Sequence, residues 1–165
     1  MTLDQKIYNI AIANGIPDTL AQLIVAQAKH ETANYTSNVF KSCNNLFGYK
    51  YVGQSLATQC NLSPELDYYA RYATIDDSVL EIVKWIKRRV ADGKFPSDLA
   101  TIQTADQYAT LLKNAGYYTG TLAAYKNGLS FFLASLTNLA TNKYTGLLIL
   151  GLIGLGMLYR GKFFS

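Results

Sequence analysis

The sequence predicts a mainly α fold: an α+β domain with a small β lobe, followed by a C-terminal transmembrane helix. Three observations carry this. Apolar residues recur at helical spacing in several segments, each closed by Asn-Gly, Asp-Gly or Gly. The stretch from Asn34 to Pro64 is rich in Asn, Ser, Thr, Gly and Tyr and has little helical period. Thr145 to Tyr159 carries no charge. The expected division is a domain over 1–140 and an anchor over 141–165.

The elements follow in order. A first helix is expected from Leu3 to Ala13, stopped by Asn14-Gly15. Pro17 opens a second, where its fixed φ and missing N–H are harmless. Leu20, Ile24, Gln27 and Glu31 fall at steps of four, three and four, so one stripe of this helix runs from apolar residues into a carboxylate at its C-terminal end. Loops and a small hairpin through Leu46–Val52 come next. Asp76-Asp77 suit the N-terminus of a third helix. Its apolar face is Val79, Ile82, Val83, Ile86 and Val90, its wet face Lys84, Lys87 and Arg88, and Asp92-Gly93 ends it. A shorter helix spans Ala105 to Ala115 before Gly116, and the last helix of the domain runs from Leu122 to about Leu139.

Beyond Lys143 the character changes. Tyr144 to Tyr159 would be about 24 Å long as a helix at 1.5 Å per residue, short of the roughly 30 Å hydrocarbon core. Interfacial Tyr144 and Tyr159, with Lys143, Arg160 and Lys162 reaching outwards, extend its reach. The competing reading is a buried core helix. The run is apolar on every face and ends in basic residues, which favours a membrane.

Composition narrows the partners. The chain is half hydrophobic and 16% charged, as a folded domain is. A net charge of +4 without a dense Lys/Arg run fits anionic lipid or a carboxylate-bearing wall polymer better than nucleic acid. Thirteen tyrosines offer flat rings with polar tips, which suit sugar faces as well as cores. Cys43 and Cys60 lack zinc spacing, and the single histidine leaves no metal site to expect. The two cysteines form one disulfide or stay as two thiols. No cofactor is expected.

His30-Glu31 is the first candidate for chemistry. Asn34 stands where a zinc protease would carry its second histidine, so that motif fails. A lone glutamate remains on the inner stripe of a helix. Unaided, it reads equally as a surface or hydrogen-bonded structural residue. Desolvation on an apolar stripe and the negative end of the helix dipole would both favour its protonated form.

The neighbouring residues resemble a known family. Ala26-Gln-Ala-Lys-His-Glu31-Thr, followed by Asn45-Leu-Phe-Gly48-Tyr-Lys50, is similar to glycoside hydrolase family 73, the glucosaminidases, whose pattern is Ala-x-x-Glu-Ser/Thr and then Asn-Leu-Phe-Gly-x-Lys. Arg71-Tyr72 and Asp77-Ser78 resemble the family's Phe-Arg-x-Tyr and Ser-x-x-Asp region. Tyr108-Ala109 and Leu112-Lys-Asn-Ala-Gly-Tyr117-Tyr-Thr119, with Tyr125 after them, resemble its Gly-Tyr-Ala-Thr-Asp block. The blocks occur in order over roughly residues 5 to 135.

The resemblance implies a lysozyme-like fold with a β lobe over a sugar cleft, and a glycosidase cleaving peptidoglycan glycan strands. Glu31 matches the family's general acid and Tyr117 its cleft tyrosine. Asn45, Phe47, Tyr49 and Tyr118 would contact substrate, with Phe47 equally suited to the core. The family's β-lobe acid, in a Thr-x-Glu context, is missing: Thr58-Gln59-Cys60 stands there. Glu65 or Asp67 would supply a second carboxylate, or the sugar's own N-acetyl group would attack, leaving hydrolysis and lytic transglycosylation both open. The alternatives from other classes are a catalytically inactive sugar-binding or structural membrane protein on the same fold, and a holin-like protein, which the large folded domain opposes.

Met1 to Lys6 is not a secretory signal. A wall enzyme without one suggests a membrane-containing bacteriophage virion, with virion proteins as neighbours, or a bacterial inner membrane facing the periplasm. The lipid contact would be residues 144–159.

Overall fold

The computed structural model describes residues 1–64, 66, 68–136 and 139. Its elements are α1 (Leu3–Ala13), α2 (Asp18–Glu31), α3 (Asn38–Cys43), β1 (Ala57–Gln59), β2 (Ala70–Tyr72), α4 (Ile75–Ala91), a 3-10 turn (Leu99–Thr101), α5 (Ala105–Asn114) and α6 (Leu122–Ala134). The mainly helical expectation holds, with one small two-stranded antiparallel sheet.

Helix α2 is the centre. Leu20, Ala21, Leu23, Ile24, Val25, Ala26, Gln27 and Ala28 are all buried, as befits a helix covered on most sides. Helices α1 and α6 pack against it, and α4 packs on α1. The ends of α2 differ from the simple expectation. Pro17 is its extended N-cap, one residue before the first helical position. After Glu31 the chain turns through Ala33, Asn34 and Tyr35, all left-handed with φ of 48°, 56° and 66°, a conformation disfavoured for side chains with a Cβ. Thr32 holds it. Its Oγ1 donates to Ala28 O at 2.6 Å and accepts from Tyr35 N at 2.9 Å. Tyr35 Oη donates to Asp4 on α1 at 2.7 Å. A hydroxyl directly after Glu31 therefore closes the helix that presents it.

Side chains cap the later helices as reciprocal pairs. Thr74 and Asp77 form a capping box at α4, and Thr104 and Gln107 form one at α5. Asp76 and Asp77 thus lie in the first turn of α4 rather than ahead of it. Helix α6 ends at Ala134, short of the expected Leu139. Ser135 caps it, its hydroxyl and N–H both bonding Phe132 O, the local competition that keeps serine at helix ends.

The expected hairpin through Leu46–Val52 is absent. The sheet instead pairs Ala57 with Tyr72, Thr58 with Arg71 and Gln59 with Ala70, and only Lys50 bridges to Tyr69. The reason is Asn45. Its side chain accepts from Phe47 N and Tyr49 N and donates to Tyr49 O and Ala70 O. These bonds hold residues 45–49 in a turn, with Gly48 at φ +64°, and the segment meets the other strand only at its end, where Ala70 N donates to Tyr49 O and Tyr51 N to Tyr68 O. Ser78 on α4 accepts from Leu46 N at 3.1 Å. Cys43 and Cys60 form a disulfide that closes a loop of separation 17 and ties α3 to the β lobe. With Leu66 they make a second small core.

Among the described residues no helix is long and apolar enough to cross a membrane. The expected anchor over 144–159 and the boundary at 140 lie outside them.

Candidate active site

Glu31 is the last residue of α2. The stripe that begins with Leu20 and Ile24 delivers it to the inner side of the Asn45–Lys50 loop. Gly48 lies against the carboxyl, since a Cβ there would stand in ordinary contact at 3.6 Å from Glu31 Oε2, and it is the left-handed φ of +64° that calls for glycine. The other oxygen, Oε1, accepts a 2.5 Å hydrogen bond from Tyr125 on α6. Burial pushes the Glu31 carboxyl above its ordinary range, and the Tyr125 bond opposes that in part. Burial also holds the Tyr125 and Tyr117 phenols protonated far above neutrality. Both are donors at any working pH.

Two rings hold Tyr125. Tyr118 stacks on it with centroids 3.8 Å apart and planes 6° from parallel. His30 meets it edge-on at 4.8 Å. His30 in turn fills a notch over Gly128 of α6, where a Cβ would come within 2.3 Å of Nδ1. Beneath Glu31 lies a buried polar pair, with Tyr108 Oη donating to Gln27 Oε1 at 2.6 Å.

Beside the Glu31 loop opens a cleft of about 520 Å³. Gly48, Tyr49, Glu81, Trp85, Arg88 and Tyr117 are among the residues lining it. Tyr117 joins the two regions. Its hydroxyl donates to Phe47 O at 2.6 Å, and its ring meets Tyr49 and Trp85 edge-on at 5.8 and 5.3 Å.

The residues singled out in the sequence thus fall in distinct places. Glu31, Tyr117 and Tyr118 converge through Tyr125 and the Phe47–Gly48 backbone. Tyr49 lines the cleft. Asn45 and Phe47 are 1% and 2% exposed: Asn45 builds the loop from inside, while Phe47 is a core residue that also borders the cleft and whose carbonyl receives Tyr117. Glu65 and Asp67 lie outside the described residues. Sequence reasoning assigned no role to Tyr125, although it falls at the end of a recognised block. It also left Glu81, Trp85 and Arg88 unassigned. The available signal was slight: Glu81 falls on the polar side of α4, in line with the chain's one tryptophan at i+4 and an arginine at i+7. Among the described residues no three His, Cys, Asp or Glu side chains gather as metal ligands.

Comparison with curated proteins and with solved structures gives no match. The glucosaminidase family model, described as mannosyl-glycoprotein endo-beta-N-acetylglucosaminidase, matches residues 7–146. That span contains the helix ending in Glu31, its covering loop, the capped α4 and the tyrosines of α5 and α6. The chain belongs to the glucosaminidase family and is a glycoside-cleaving enzyme that acts on peptidoglycan.

Proposed function

We propose that Glu31 is the general acid that cleaves the amino-sugar backbone of peptidoglycan. The observation that carries this reading is the carboxyl's environment. Burial favours its protonated form, as the acid of a glycosidase needs near neutral pH. Tyr125 fixes one oxygen, and the other lies under Gly48, where no side chain stands in the way.

In this scheme Glu31 gives its proton to the glycosidic oxygen as the bond to C1 breaks. Tyr117 holds the Phe47–Gly48 backbone in place and offers its ring to the sugar. The β strand carries Thr58-Gln59 where the family places its second acid. The missing carboxylate favours attack on C1 by the sugar's own acetamido oxygen. Water then opens the resulting ring at C1 and returns a proton to Glu31. A hydroxyl of the same sugar in place of water gives the anhydro product of transglycosylation. The test is fragment mass after digesting purified peptidoglycan. Glu31→Gln is expected to lose at least a hundredfold in rate, in line with the usual contribution of acid catalysis. The Glu65→Gln/Asp67→Asn double variant is expected to stay active. A Glu31→Gln enzyme at near wild-type rate would overturn the assignment.

We also propose that residues 144–159 hold the enzyme on a membrane with the domain facing the wall. The uncharged run with tyrosine and basic flanks supports this. So does the Cys43–Cys60 bond, of a kind that persists in oxidising compartments. A phage virion membrane is the location we favour, because it would deliver the enzyme to the wall on entry. The bacterial inner membrane is the alternative.

A further inference from the structure

Helix α4 presents Glu81, Trp85 and Arg88 along one face, at i, i+4 and i+7, and all three line the cleft. The side chain of Glu81 is 5% exposed and that of Arg88 is 55% exposed. Arg88 donates one hydrogen bond to Glu81 Oε1 at 3.3 Å. The buried carboxylate therefore draws the guanidinium against the cleft wall and leaves most of its five N–H donors pointing to solvent. Every other ion pair among the described residues differs. Lys6–Asp76, Lys29–Asp4, Arg89–Asp92 and Lys126–Asp106 all use acids at least 23% exposed, and none of those residues lines this cleft. Lys50 is the cleft's other cation, and its ammonium lies 3.4 Å over the Tyr69 ring. Arg88 is the cleft cation that offers a planar fork held against the wall by a recessed carboxylate.

Its place along the cleft is defined. Glu31 abuts Gly48, Tyr117 bonds the adjoining Phe47 carbonyl, Trp85 packs on Tyr117, and Arg88 lies about 4.5 Å further along α4 at 1.5 Å per residue. A glycan strand held by Glu31 and running over Trp85 would bring a neighbouring sugar to Arg88. Every second sugar of peptidoglycan bears a lactyl arm that ends in a carboxylate or continues into an anionic peptide. A planar guanidinium matches a carboxylate with two parallel bonds.

We propose that Arg88, positioned by Glu81, is a specificity residue that binds the carboxylate of the muramyl lactyl arm. This rests on the reading that the strand is cleaved at Glu31. It explains how a member of this family would favour an anionic wall polymer over an uncharged amino-sugar chain. Glu81 is the positioning residue, since its recessed side chain acts through Arg88.

The test uses the full-length protein and two substrates made from the same glycan strands after removal of the peptides. One carries free lactyl carboxylates, and in the other they are converted to carboxamides. Wild type is expected to favour the carboxylate form about tenfold in kcat/KM, the equivalent of about 1.4 kcal/mol, mostly in KM. In the Glu81→Gln/Arg88→Gln double variant, which leaves no buried charge unpaired, that ratio should fall to about one. Arg88→Lys keeps the charge but loses the fork, so its ratio should lie between, and it serves if the double variant does not fold. Equal cleavage of both substrates by wild type, or an unchanged ratio in either variant, overturns the proposal. Glu31→Gln keeps the two readings apart: if it remains active while the Arg88 variants lose the ratio, the acid is misassigned and the specificity site stands.

Discussion

Two opposing influences act on Glu31. Burial favours the neutral acid, and the Tyr125 hydroxyl favours the carboxylate by bonding Oε1. The acid must be protonated to act, so activity falls as pH rises through its pKa. Removing the hydroxyl leaves burial unopposed and raises that pKa further. Tyr125→Phe is therefore expected to move the alkaline limb of the kcat/KM profile to higher pH while lowering the maximal rate, because the carboxyl loses its fixed orientation. A pH–rate profile of the variant checks this, and a limb shifted towards acid would refute it. The same influences bear on stability. A carboxyl whose folded pKa is raised supports the fold fully below its unfolded value, near 4.5, and that support is lost as pH rises through the folded pKa. Glu31→Gln, neutral throughout, should thus gain in melting temperature over wild type as pH rises from acid to neutral.

At the scale of elements, the site depends on close approach between α2 and α6. Gly128 permits it, because His30 occupies the space a side chain would need. His30 presses on Tyr125, and Tyr125 bonds Glu31. Gly128→Ala should therefore displace His30 and, through it, Tyr125. The expected result is about 1–3 kcal/mol of lost stability, the usual effect of overpacking, with a fall in kcat. His30→Ala in the same chain opens the notch and should restore the fold. Thermal melts and rates for the single and double variants check the coupling. An additive double variant would show that His30 does not transmit the clash. The loop over Glu31 obeys a different rule. Asn45 ties residues 45–49 into a turn through the backbone of Phe47, Tyr49 and Ala70, and the lack of helical period there does not distinguish such a turn from a hairpin.

For the whole molecule, the disulfide and the C-terminal run bear on where the enzyme works. Closing a loop of separation 17 is worth about 3 kcal/mol in the chain-entropy account, and it steadies the β lobe beside the cleft. With residues 144–159 as an anchor, full-length protein is expected to float with liposomes and resist high salt and carbonate, and protein truncated after Asn142 is expected to remain soluble and folded. Full-length protein that stays soluble without detergent would refute the anchor.

Much of this was legible in the sequence, for a local reason. Helix spans, their Asn-Gly and Asp-Gly stops and the stripe ending in Glu31 depend on residues within a turn or two of one another, so periodicity and capping chemistry report them directly. The ordered blocks around Glu31, Asn45–Lys50 and Tyr117 identified the family on the same footing. Tertiary structure alone decided the rest. Tyr125 reaches Glu31 across 94 residues, and Tyr117 reaches Phe47 across 70. The cysteines were left open until the fold brought their Cα atoms to 6.0 Å. Glu81 sat in a stretch that read as helix core and wet face, and only packing showed it buried at a cleft that the more exposed Arg88 also lines. Such partners leave no periodic trace, because contact between distant segments is set by how the helices pack and not by their spacing along the chain.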